Sequence, residues 1–235
     1  MVNRFVLFDI DGTLIDPGGA GRRSMSKAFY QMFSIRNAFA GVTMAGNTDI
    51  QIIREGLGIH GLPSGDGIVD SILSPYLKNL EIEINNTRRH IMPGVLELLG
   101  VLNTTDGYWL GLLTGNIERG ARIKLGAFNL NRYFPVGAFG DDSEDRNRLL
   151  PIAVEKLRKT RNINVNCSDC IVIGDTPKDV QCSKPLGATS IVVSTGPYSY
   201  EALLGTGADY VLRNLSYAMD LVEEFNLQYQ TDSPG

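Results

Sequence analysis

The chain has 235 residues, with 22 Lys+Arg against 26 Asp+Glu and a formal net charge of −4. Hydrophobic residues make up 43% and charged residues 20%, which excludes a disordered chain. The mild acidity argues against a sequence-independent grip on nucleic acid, which needs clustered positive charge.

At this length one domain, or one domain with an insert, is expected. The chain opens MVNRFVLFDIDG. Its apolar run is too short for a signal peptide and ends in two aspartates. No segment approaches the ~20 apolar residues of a membrane span. A cytoplasmic protein without a membrane partner is expected.

Residues 5–9, FVLFD, predict a first strand buried on both faces. It runs into Asp9-Ile10-Asp11-Gly12-Thr13. Two aspartates at a strand end cost stability unless their charge is used. Asp9 suits a nucleophile, because carboxylates form covalent intermediates in phosphoryl transfer. Asp11 is near enough to protonate a leaving oxygen and later to deprotonate water. An Asx-turn or a cap is the plainer alternative for such a pair.

Residues 16–90 show helical stretches at Ser24–Phe33, Asp49–Leu57 and Gly67–Leu80, with no strong strand. About 75 residues is too long for a connecting loop. A small helical domain inserted after the first strand is expected there. Arg22, Arg23, Asn47, Thr48 and Asp49 are its candidate substrate contacts. Arg22 and Arg23 suit a carboxylate or second phosphate, or else form a solvated helix end. Gly46-Asn47-Thr48-Asp49 also reads as an N-capped helix start.

Beyond the insert, strands and helices alternate. Pro93-Gly94 opens a helix with Val95, Leu98, Leu99 and Leu102 on one face. YWLGLLTGN (108–116) is a strand ending in Thr114-Gly115-Asn116, and a helix follows over 117–128. The Thr114 hydroxyl, with backbone N–H groups at a helix start, suits an anion, or else is a simple N-cap. Residues 141–148, DDSEDRNR, offer Arg146 or Arg148 as a fixed positive charge, with Arg146 preferred. The next helix carries Leu149, Ile152, Ala153, Val154 and Leu157.

CIVIGDTP (170–177) is a further strand, ending Gly174-Asp175-Thr176-Pro177-Lys178-Asp179. Asp179 falls one turn into the following helix, over 177–186, facing back toward Asp175. Four carboxylates at one sheet edge repel unless a cation is bound. Hard oxygen ligands without a His or Cys cluster select Mg²⁺. TSIVVSTG (189–196) and ADYVL (208–212) complete the strands, and the polar tail from Gln228 is expected to fray. The fold class is therefore α/β, a Rossmann-like parallel sheet with a small all-helical insert. Its ligand belongs at the carboxyl ends of the strands.

The three cysteines, Cys167, Cys170 and Cys182, do not make a disulfide framework. Cys170 is expected to pack at a strand start, and His60 and His90 to sit on loops of the insert. Trp109, Tyr198 and Tyr200 read as packing or surface residues.

These pieces, in this order, resemble the haloacid dehalogenase-like hydrolases, in particular phosphoglycolate-phosphatase-like members with a helical cap. The resemblance spans about residues 5–212. Its motifs are Asp9-Ile10-Asp11-Gly12-Thr13, Thr114-Gly115-Asn116, a basic residue, and Gly174-Asp175-Thr176-Pro177-Lys178-Asp179. Family members usually carry a lysine as the basic residue. None stands between Lys124 and Lys156, so an arginine would substitute. The resemblance implies a core of 1–15 plus 91–235 and a cap of 16–90. It implies that Asp9 attacks phosphorus and that Asp11 is the general acid and base. Thr114, Gly115, Asn116 and Arg22 would bind substrate, and Arg146 would complete the catalytic set. Asp9, Asp11 (through its backbone carbonyl), Asp175 and Asp179 would serve Mg²⁺.

Family dehalogenases lack the second aspartate of the first motif, so Asp11 argues for a phosphatase acting on a small phosphorylated metabolite. The alternatives are a phosphosugar mutase using the same aspartyl-phosphate and a non-catalytic binding protein on the same scaffold. A monomer or homodimer is expected.

Overall fold

The computed structural model describes residues 3–218, 220 and 222; the polar tail lies outside them. Among these residues a six-stranded parallel sheet forms the centre. Its strands are β1 (Arg4–Phe8), β4 (Tyr108–Leu113), β5 (Val136–Ala138), β6 (Cys170–Gly174), β7 (Thr189–Val193) and β8 (Tyr210–Leu212), in the order β5-β4-β1-β6-β7-β8. The three strands with motifs at their ends, β4, β1 and β6, are therefore neighbours. Phe8 pairs with Leu112 on one side and Ile173 on the other. Parallel strands in register end together, so Asp9, Thr114 and Asp175 meet at one edge.

Both faces of the sheet are covered. Val6 and Phe8 point to the face packed by α4 (Val95–Thr104) and α5 (Glu118–Gly126). Phe5 and Leu7 point to the face packed by α6 (Leu149–Arg161) and α7 (Pro177–Ser183). This two-sided burial is why β1 reads as a continuous apolar run and not as an alternation. Asp9 continues the Phe5–Leu7 row, on the side from which α6 and α7 approach. A short helix, α8 (Tyr200–Leu204), lies between β7 and β8.

Three helices occupy the segment after β1: α1 (Ala20–Phe33), α2 (Asp49–Ile59) and α3 (Asp66–Glu83). They bury an apolar cluster of their own, with Phe29, Phe39, Ile53, Leu57, Ile72, Tyr76 and Leu80. Phe29 and Phe39 meet edge to face at 4.7 Å. Ile117, from the β4–α5 connection, enters the same cluster. α2 begins with a capping box between Thr48 and Gln51, as its sequence signal suggests.

Several local expectations need correction. The segment does carry strand at its margins: β2 (Ile15–Asp16) pairs antiparallel with β3 (His90–Ile91), so the chain leaves and returns through a two-stranded ribbon. His90 is thus on a strand, not a loop, while His60 caps the end of α2. β5 has no counterpart among the expected strands, because three residues, one of them glycine, leave no periodic signal. α7 stops at Ser183, and a 3-10 turn carries the chain to Leu186. Cys170 is buried at the start of β6, and the three cysteines are free thiols. No described helix is long and apolar enough to cross a membrane.

Candidate active site

Asp9 sits one residue past β1, and its N–H still donates to the Ile173 carbonyl at 2.9 Å. The backbone beneath the carboxylate is therefore held by the sheet. The side chain is buried, accepts a hydrogen bond from the Thr114 hydroxyl, and lies 3.3 Å from Arg146 Nη2. Burial pushes the Asp9 carboxyl up, and Arg146 opposes that. Arg146 comes from a 3-10 turn (Arg146–Arg148) just before α6 and also ion-pairs with Asp179. Of the two candidate arginines, Arg146 is buried here and Arg148 is exposed. A 3-10 turn places successive residues about 120° apart, so only one of them can point at the sheet edge.

Asp175 and Asp179 complete the acidic set. One oxygen from each of Asp9, Asp175 and Asp179 lies within 4.8 Å of the others. Asp179 is tightly engaged: it accepts from the Thr176 N–H at 3.0 Å and hydroxyl at 2.8 Å, as well as from Arg146. Asp175 accepts from Thr13 at 3.4 Å. Burial, and then the charges of Asp9 and Asp179, push the Asp175 carboxyl well up. A Cβ at Gly12 or Gly196 would stand 2.3 or 1.7 Å from Asp175 Oδ2, so the space beside that oxygen is kept clear by residues without side chains. Three buried carboxylates against one arginine, with a cleared cradle, fit a bound cation, and the all-oxygen donor set suits a hard one.

Asp11 directs its carboxylate elsewhere. Its carboxylate is not part of the three-oxygen cluster. It accepts from Lys124 Nζ on both oxygens, at 2.8 and 2.6 Å, and from Asn116 Nδ2 at 2.7 Å. Only its backbone carbonyl remains for the role the family resemblance implies. Gly12, at φ 85°, turns the chain immediately after it.

The Thr114-Gly115-Asn116 loop also differs from the open anion site expected of it. The Asn116 N–H donates to Thr114 Oγ1, Ile117 N–H to Asp49 and Glu118 N–H to Asp141. Side chains have satisfied these donors at the helix start. The Gly115 N–H remains as the group of this loop that can meet a phosphoryl oxygen, while the Thr114 hydroxyl donates to Asp9. Gly115 lies against α2: a Cβ on it would stand 2.2 Å from the Asn47 carbonyl oxygen.

The helical segment roofs the site. A cleft of about 480 Å³ lies between them, lined by Asp9, Asp11 and Asp175 below and by Arg22, Met25, Met44 and Ile52 above. Arg22 donates to the Phe39 and Val42 carbonyls at 2.7 and 2.8 Å, which fixes its guanidinium at the wall. Arg23 points elsewhere, to Glu83 and the Gly18 carbonyl. Asn47 bonds Lys178, and Thr48 donates to the Glu144 carbonyl at 3.2 Å.

One site residue, Lys124, escapes sequence reasoning. Lys124 is buried, and it shares the inward stripe of α5 with Ala121 and Leu125. A lysine on a buried helical stripe is itself a signal, since lysine is rarely buried unpaired. Asp49 is buried too, accepting from the Ile117 N–H at 3.0 Å and from Tyr76 at 3.3 Å. Its partners lie 27 and 68 residues away in the sequence, so no local pattern reveals them.

A parallel α/β sheet with a nucleophile-ready aspartate past its central strand, a second aspartate two residues on and an acidic pair past the next strand defines a class of hydrolase. The chain belongs to the haloacid dehalogenase-like hydrolases, whose family model matches residues 6–193. A provisionally named pyrophosphatase, PpaX of Clostridium perfringens, is 24% identical over 225 residues, covering 94% of this chain and 98% of that protein. A phosphoglycolate phosphatase of Rhodospirillum rubrum is 26% identical over 208 residues, covering 86% of this chain and 84% of that protein. The fold is shared with a predicted phosphatase from Clostridium acetobutylicum, with a TM-score of 0.72 at 22% identity, covering 95% of this chain and all of that one.

Proposed function

We propose that this chain is a Mg²⁺-dependent phosphatase that hydrolyses a small phosphomonoester through an aspartyl-phosphate on Asp9. One observation carries the reading: Asp9 lies between Arg146 and the Thr114 hydroxyl, with Asp11 two residues on at the floor of a covered cleft. Asp9 attacks phosphorus, and the bond to the leaving oxygen breaks as Asp11 gives that oxygen a proton. Water then attacks phosphorus, Asp11 takes the water's proton, and the bond to Asp9 breaks to release phosphate. Arg146 and Thr114 hold Asp9 in place and face the negative charge of the transferring group.

Asp9, Asp175 and the Asp11 backbone carbonyl would hold Mg²⁺, with Asp179 orienting Arg146 beside them. When bound, the ion supplies positive charge that offsets the clustered carboxylates and the phosphoryl oxygens.

The helices α1 to α3 act as the cap, with boundaries at the β2–β3 ribbon. They exclude bulk water from the aspartyl-phosphate. Arg22, held rigid at the roof, suits a carboxylate or second anionic group on the substrate. The relatives' names point to phosphoglycolate or pyrophosphate as first substrates to try.

The test is phosphate release from a panel of phosphorylated metabolites, by wild type and by Asp9→Asn. Release is expected to be stoichiometric with substrate loss and to vanish in the variant. An isomerised product without phosphate release would make the enzyme a mutase. Undiminished release by Asp9→Asn would refute the nucleophile.

A further inference from the structure

The second aspartate is not free to turn. Lys124 Nζ holds both Asp11 oxygens and also donates to Asn116 Oδ1 at 2.6 Å. Asn116 Nδ2 returns a bond to Asp11 Oδ2, and another to Thr114 Oγ1 at 2.9 Å. Lys124, Asp11 and Asn116 thus form a closed three-membered ring. The lysine side chain is 5% exposed, whereas Asp11 is 36% exposed and faces the cleft. A buried ammonium with both carboxylate oxygens in reach fixes the carboxylate as no water-exposed pair could. The ring is also tied to the roof. Lys124 attracts the buried Asp49 of α2, and the first turn of α1 lies over it, a Cβ on Gly21 falling 3.5 Å from Nζ.

We propose that Lys124 is a positioning residue for Asp11: with Asn116 it sets the orientation from which Asp11 exchanges a proton with the leaving oxygen and with water. The proposal rests on the phosphatase reading. An aspartate that must serve two oxygens in succession loses rate if its carboxylate turns freely between rotamers, and the ring removes that freedom. Lys124 acts through Asp11, so its effect should follow how much the leaving group needs a proton.

Two esters separate this from a structural role. An alkyl phosphate expels an alkoxide that must be protonated; p-nitrophenyl phosphate expels a nitrophenolate that need not be. Asp11→Asn is the reference, and should lose about 100-fold or more in kcat/KM on the alkyl ester but under about 10-fold on the aryl ester, since kcat/KM reports formation of the aspartyl-phosphate and not its hydrolysis, where Asp11 serves both esters alike. Lys124→Met should reproduce that split in kcat/KM, and Lys124→Arg should recover part of the loss on the alkyl ester. Equal losses on both esters would overturn the positioning role.

Lys124→Met leaves Asp11 and Asp49 without their cation, so Lys124→Gln and Asn116→Ala are run beside it. Should none of the three lysine variants fold, the alkyl-selective loss in Asn116→Ala supports the proposal, and equal losses on both esters overturn it. If Asp11→Asn itself shows no leaving-group selectivity, the acid–base reading of Asp11 has failed, an outcome distinct from failure of Lys124 alone.

Discussion

Asp49 shows how a single carboxylate can be set by tertiary placement. It opens α2, yet it is buried against Tyr76 and the start of α5. Burial raises its pKa from the usual 3.8 to about 6, against the pull of Lys124 and the Ile117 N–H. Folding thus favours its protonated form. The cost is absent below pH 3.8 and is fully present above about 6, where it amounts to about 3 kcal/mol. Asp49→Asn keeps an acceptor for Ile117 and removes the charge. The variant should be more stable than wild type at pH 7, and the gap should close as pH falls toward 4. Chemical denaturation across that range measures it; a gap independent of pH would contradict the assignment. Asp9 and Asp11 were open to inspection as residues, because Asp-x-Asp after an apolar run is a local feature. Lys124 was not, and Asp49 was open only as a possible substrate contact, because their burial depends on helices brought together from distant sequence.

At the scale of elements, the β4–α5 connection serves both layers. Its Thr114 faces Asp9, its Ile117 joins the helical cluster, and its Gly115 carbonyl accepts from the Asp49 N–H at 2.7 Å. α2 therefore docks directly on the loop that follows β4. The contact leaves no room for a side chain: Gly115→Ala would push a methyl group into the Asn47 carbonyl. Backbone cannot rotate away as a side chain can, so a loss of about 1–3 kcal/mol is expected. Because α2 lines the cleft, KM should rise as well. Thermal denaturation and steady-state kinetics on the one variant check both, and a variant with native stability and KM would show that the loop and α2 yield easily. The strands β1, β4 and β6 were legible from apolar runs closed by turn residues. β5 and the β2–β3 ribbon were not, since strands of two or three residues are fixed by their neighbours' hydrogen bonds and not by a run of their own.

The whole molecule is acidic by only −4, yet it gathers Asp9, Asp175 and Asp179 within one small volume. Arg146 offsets part of that charge, and the remainder is repulsion that a bound cation would relieve. Asp175, pushed well up by burial and by its two acidic neighbours, is where that repulsion is most visible. In EDTA, Asp175→Asn should therefore melt at a higher temperature than wild type, because a neutral amide replaces a repelled carboxylate. Added Mg²⁺ should raise the wild-type melting temperature, by about 2.7 kcal/mol of stability at 100 times its dissociation constant. It should leave the variant unmoved. A wild-type melting temperature indifferent to Mg²⁺ would count against the metal site.

By itself, the sequence determined which residues stand at strand ends and what chemistry they can do. Asp9, Thr114 and Asp175 follow buried strands, and in a parallel α/β sheet all such ends lie on one edge. That conclusion needs only a period and a turn signal, both local. Tertiary structure alone decided the rest. It selected Arg146 over Arg148 through the phase of a 3-10 turn against α7. It turned the Asp11 carboxylate away from the acidic cluster and onto Lys124, a contact across 113 residues. It closed the Ile117 and Glu118 donors with the side chains of Asp49 in α2 and of Asp141. Each of these depends on which helix face meets which loop, and long-range packing, not any stretch of sequence, sets that.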